Sequence, residues 1–78
     1  MKILTFGIAT DIIGKTEFAF EGQSEISVGG LRTWLKEQYP ELGKLTSLAF
    51  AVNERYANDD HMLTEKDVIA LIPPVSGG

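Results

Sequence analysis

Apolar and polar positions change rhythm several times along this chain, and each change marks an element. Residues 2–8 hold Ile3, Leu4, Phe6 and Ile8 in a short apolar run, which predicts a strand buried largely on both faces and suited to a central, parallel pairing. Thr10-Asp11-Ile12-Ile13-Gly14-Lys15 carries a capping-type pair and then a glycine, and reads as one helical turn or a loop between two strands. Residues 16–21 alternate, with Thr16, Phe18 and Phe20 on one face and Glu17, Ala19 and Glu21 on the other, the period of a half-buried strand. After the turn-rich Gly22-Gln23-Ser24-Glu25, Ser27 is placed to cap a helix in which Leu31, Trp34, Leu35 and Gln38 follow helical spacing. Its stripe of Leu31, Trp34 and Leu35 should face a sheet, and Pro40 stops it. Gly29 and Gly30 in the first turn each cost about 1 kcal/mol of helix propensity, which predicts a frayed start.

Leu48, Phe50 and Val52 alternate with Ala49, Ala51 and Asn53, so residues 48–53 form a third strand whose small-residue face leaves room for a packing neighbour. Asn53-Glu54 and Asn58-Asp59-Asp60 are turn chemistry around a minor strand at Arg55-Tyr56-Ala57, and Glu65-Lys66-Asp67 turns into a final strand, 68–72. The order strand, strand, helix, strand, minor strand, strand predicts an α+β fold, with one main helix on one face of a mixed sheet. The first and last strands are the most apolar and belong side by side, parallel, at its centre, with hairpin partners at the edges. That is the ubiquitin-like β-grasp arrangement. Residues 1–74 make the domain and 75–78 a projecting tail.

Composition narrows what such a domain does. At 78 residues the core is small and leaves no cleft between lobes, which disfavours a self-sufficient enzyme. Seven Lys or Arg against eleven Asp or Glu give a net charge of −4, which opposes binding to nucleic acid or an anionic bilayer and favours neutral or basic partners. The longest apolar stretch, Val68 to Val75, contains Pro73 and Pro74 and falls far short of the roughly 20 residues that a spanning helix needs. Without cysteine there is no disulfide, thiolate metal site or catalytic thiol, which suits a reducing cytoplasm. His61 reads as a surface residue and Asp59-Asp60 as a solvated turn rather than a metal site. Gly29-Gly30 lacks the pattern of a phosphate loop, and Trp34 with Tyr39 reads as packing.

The last residues resist a purely structural reading. Pro73 and Pro74 cannot continue a ladder and launch the chain away from the domain along an extended path. Gly77 and Gly78 lack Cβ atoms, so such an end can thread a narrow channel and present its carboxylate without hindrance, although glycine also ends frayed tails. A carboxylate reacts only once activated; as an acyl adenylate it becomes a mixed anhydride open to a sulfur or amine nucleophile.

Phe50-Ala51-Val52-Asn53, then Leu63-Thr64 with Glu65 and Asp67, then Ile72-Pro73-Pro74-Val75-Ser76-Gly77-Gly78 resemble the small, sulfur-carrier subunits of molybdopterin synthases in residue type and spacing. The resemblance extends over essentially the whole chain. It departs at Leu71 and Ile72, where that family often has bulky aromatics, and at Thr10-Asp11, where it often has an arginine and a glutamate. It implies a non-catalytic carrier with no bound cofactor. A ubiquitin-activating-like adenylating enzyme would consume ATP to activate Gly78, and a sulfurtransferase system would convert it to a thiocarboxylate. The large catalytic subunit, as a dimeric core carrying two carriers, would then use two such sulfurs in succession to build the dithiolene from cyclic pyranopterin monophosphate. Gly78 is the expected attachment point, Gly77, Ser76 and Val75 the threading residues, and Leu71, Ile72, Pro73 and Pro74 the partner interface. A thiamine-type sulfur carrier and a ubiquitin-like modifier share the fold and the Gly-Gly end, and remain the alternatives.

Overall fold

The computed structural model describes residues 1–21, 25–45 and 47–74. Its main sheet has five strands in the order β2-β1-β7-β4-β5: β1 (Lys2–Thr5), β2 (Glu17–Ala19), β4 (Ala49–Val52), β5 (Arg55–Ala57) and β7 (Val68–Ile72). β1 and β7 pair in parallel from Lys2↔Val68 to Thr5↔Leu71, and β4 and β5 continue antiparallel. The first and last strands therefore meet as their apolar content predicts. Helix α2 (Val28–Gln38) buries Val28, Leu31 and Leu35, while Trp34 is partly buried and meets Phe20 edge to face at 4.8 Å between centroids. Ile3, Phe50, Ile69 and Leu71 complete this core from the sheet.

Three features differ from the sequence reading. β1 stops at Thr5, because Gly7 adopts φ +56° and Ile8 starts a short helix, α1 (Ile8–Ile13). A 3-10 helix, Pro40–Lys44, follows α2 and buries Leu42. A second sheet of two strands pairs β3 (Glu25–Ser27) with β6 (Met62–Thr64), burying Ile26 and Leu63. Each contributes one buried side chain and finds its partner far along the chain, so the local sequence does not mark the pairing.

The start of α2 is tied down rather than frayed. Val28 N–H donates to the His61 carbonyl at 2.9 Å, Gly29 N–H to the Asp59 carbonyl at 3.0 Å, and Gly30 N–H to Ser27 Oγ at 3.0 Å. A Cβ on Gly30 would lie 2.8 Å from Ile26 Cγ1, so the glycine permits a close approach that offsets its propensity cost. Arg32 reinforces the same junction, donating to Asp59 Oδ1 and to the Leu48 carbonyl while lying 4.6 Å from the Phe50 ring centroid.

Two turns lock the lower end of β7. Asn53 N–H donates to the Val68 carbonyl, Asn53 Oδ1 accepts from Val68 N–H, and Asn53 Nδ2 donates to Asp67 Oδ1. Asp67 Oδ2 accepts from Thr64 N–H at 2.8 Å. The Thr64 N–H bond first, and the Asn53 amide next, hold the Asp67 carboxyl below the usual carboxylate range. Its stabilisation is therefore present well above the unfolded value of about 3.9 and is lost as pH falls through the lower folded-state value. Asp67→Asn is expected to lower the urea midpoint at pH 7 and to lose less than the parent between neutral pH and pH about 3. An equal acid loss in both proteins would place that sensitivity elsewhere.

Asn53-Glu54 is a two-residue hairpin turn with φ +50° and +73°. Asn favours such positions, but Glu at the second one occupies a left-handed conformation that costs about 1 kcal/mol relative to Gly. Glu54→Gly is accordingly expected to raise stability by about 1 kcal/mol in urea titration.

Candidate functional site

A single main helix covers one face of the five-stranded sheet, and the opposite face carries apolar side chains as well. Along β7, Ile69 and Leu71 point into the core, whereas Val68, Ala70 and Ile72 line a groove on the other side. Leu4 and Phe6 border it from the β1 side, with Ala51 and Tyr56 from β4 and β5. The small side chains of Ala51 and Ala70 leave a hollow of about 540 Å³ between larger neighbours. Phe6 is 49% and Tyr56 73% exposed, so this apolar surface is open to solvent. Exposed apolar faces of this kind commonly serve as interaction surfaces in proteins.

The groove ends where β7 passes into Pro73 and Pro74, both partly buried. Pro73 is seated by Gly7: a Cβ on that glycine would lie 3.1 Å from Pro73 Cγ. Gly7 also precedes α1, while Thr5 anchors the segment from inside. The buried Thr5 hydroxyl donates to the Lys15 carbonyl and shares a 3.0 Å hydrogen bond with the Thr10 hydroxyl. Gly7→Ala is expected to cost about 1–3 kcal/mol in urea titration, from its positive-φ backbone and the crowded Pro73 ring.

Of the residues expected at a partner interface, Ile72, Pro73 and Pro74 lie at this end of the groove. Leu71 does not belong with them. It is fully buried against the helix side, because strand alternation sends it opposite to Ile72, and it has no area to offer a partner. The expected roles of Val75, Ser76, Gly77 and Gly78 fall outside the described residues. Leu4, Phe6 and Tyr56 are groove residues that the sequence alone does not mark, because Leu4 and Phe6 sit in an apolar run that reads as buried on both faces and Tyr56 in a minor strand between turns. The available signal was the imbalance between strands apolar on both sides and one main helix to cover them.

The other candidates behave as structural groups. His61 is exposed, and Asp59 engages Arg32 at 3.1 Å. Among the described residues no cluster of three or more His, Cys, Asp or Glu side chains is arranged to hold a metal. The first N–H groups of α2 are already engaged, leaving Gly29-Gly30 no donors for an anion. No helix among the described residues is long and apolar enough to cross a membrane.

The sequence model of the ThiS family matches residues 3–78. The chain belongs to that family. A Caenorhabditis briggsae protein named molybdopterin synthase sulfur carrier subunit is 40% identical over 81 residues, covering 100% of this chain and 96% of the relative. Its Caenorhabditis elegans namesake is 38% identical with the same coverage. Among solved structures, a putative molybdopterin converting factor subunit 1 from Pyrococcus furiosus superposes with a TM-score of 0.85 at 24% identity, covering 95% of each chain. Small archaeal modifier protein 1 from Haloferax volcanii gives 0.80 at 19% identity, covering 96% of this chain and 97% of that one. These two likenesses establish the β-grasp fold of this family member. A chain from a complex of subunits 1 and 2 of the molybdopterin-converting factor of Helicobacter pylori is 31% identical, with a TM-score of 0.66 and coverage of 99% and 96%.

Proposed function

We propose that this chain is the sulfur-carrying subunit of a molybdopterin synthase. The observation that carries the reading is the end-to-end likeness to relatives bearing that name, at up to 40% identity in those compared. The Pro73-Pro74-Val75-Ser76-Gly77-Gly78 ending and the cysteine-free composition support it, since the C-terminal carboxylate is then the place where transferable sulfur is held. An adenylating enzyme joins the Gly78 carboxylate to ATP, releasing pyrophosphate. Sulfur at the oxidation level of hydrosulfide, delivered by a sulfurtransferase system, then displaces AMP and leaves a thiocarboxylate. The chain itself binds no cofactor, and the whole cycle runs in the cytoplasm.

Catalysis belongs to the large subunit, with this chain as donor. The apolar groove around Phe6, Tyr56 and Ile72 is the face that meets it, because the groove ends at the root of the tail and docking there aims the tail at the partner. Four residues follow Pro74, an arm of at most about 14 Å, which suits one fitted tunnel. A tagged copy recovered from cells should come as a non-covalent complex with the large subunit and convert cyclic pyranopterin monophosphate once sulfur-loaded. Recovery as isopeptide-linked ladders on many proteins, with no precursor conversion, would instead make it a modifier.

A further inference from the structure

We propose that Glu54 is the charged anchor of the groove, and that the docking segment of the large subunit carries a Lys or Arg at that end and apolar side chains toward Phe6 and Ile72. This rests on the carrier reading and on docking at the groove. Among the described residues that line the groove Glu54 is the single carboxylate, and it follows Asn53, whose N–H donates to the Val68 carbonyl at the end opposite Ile72 and Pro73. Lys2, in register with Val68 at the same end, is already engaged by Glu17 at 3.3 Å. Glu54 takes part in neither of the ion pairs formed among the described residues. An apolar partner surface brought against the groove would strip water from this rim carboxylate without replacement, and an acidic one would be repelled; a cation satisfies it.

The backbone points the same way. Glu54 holds φ +73° at a turn position that glycine adopts without strain. A side chain kept in a strained conformation beside a binding surface is a candidate for function. The position also sets a register. From Val68 to Ile72 is four strand steps, about 13 Å, so a cation held at Glu54 fixes how the partner lies along β7 relative to the exit of the tail.

The test measures binding of the large subunit from the same organism to the full chain and to Glu54→Gln, Glu54→Gly and Glu54→Lys, by calorimetry at low and high salt. Glu54→Gln and Glu54→Gly should each weaken binding about tenfold at low ionic strength, with the gap narrowing as salt screens the pair. Glu54→Lys should weaken it further. Glu54→Gly relaxes the turn, so its loss of affinity cannot be laid to a poorer fold. Ile72→Asp distinguishes the two levels of failure. If the parent does not bind the large subunit, or Ile72→Asp binds as the parent does, docking at the groove is wrong and the Glu54 anchor falls with it. If Ile72→Asp loses binding while all three Glu54 variants bind like the parent at low salt, the anchor alone is overturned.

Discussion

A chain shortened by Gly78 is expected to take up no measurable sulfur when incubated with its adenylating enzyme, ATP and a sulfur donor, while the parent gains one oxygen-to-sulfur exchange in intact mass. The shortened chain still ends in a glycine carboxylate, so the loss would come from reach rather than chemistry. One residue is about 3.5 Å of extended chain, and a misplacement of about 1 Å at a reacting centre can cost on the order of 10²-fold in rate. Synthase activity should therefore fall by at least about 10²-fold. Gly78→Ala keeps the reach and adds a Cβ beside the carbonyl, and should load more slowly than the parent. Equal sulfur uptake and equal synthase activity without Gly78 would make the carrier reading wrong.

Adjacent residues of β7 should fail in opposite ways. Ile72→Asp puts a carboxylate on the apolar groove, where docking would bury it without a partner. We expect the large-subunit complex to weaken by about 2–4 kcal/mol, roughly 30-fold to 10³-fold, while the isolated variant stays folded. Leu71→Ala instead empties a fully buried site and should destabilise the domain by about 2–5 kcal/mol. Urea titration and a binding isotherm on both variants check the pair. Ile72→Asp with unchanged affinity would move the interface elsewhere.

The sequence makes the alternating strands and the amphipathic helix legible and hides β3 and β6. Alternation in β4, the Leu31 and Leu35 stripe of α2 and the last strand at 68–72 are strong patterns, and the structure reproduces them with Ser27 capping the helix. β3 and β6 are three residues each, and their pairing spans distant parts of the chain, so nothing local marks them. Propensity alone predicts a frayed start for α2. Tertiary bonds from the 58–61 turn outweigh it, and the Gly30 contact with Ile26 is invisible in one dimension. Leu71 and Ile72 adjoin the prolines and read as one patch, although strand alternation already separates their faces. Phe6 and Leu4 read as core because an apolar residue in sequence does not say which side of a sheet will be left bare.

The strand that leads into the tail is the one in the middle of the sheet, with β1 on one side and β4 on the other. A pull applied beyond Pro74 therefore loads β7 lengthwise, and its ladders on both flanks must shear together rather than open one bond at a time from an edge. A tail gripped inside a partner can be tugged, or withdrawn from one enzyme and passed to the next, with the domain acting as a mechanically stiff handle. Under such tension its lifetime is set by the rate of forced unfolding rather than by equilibrium stability.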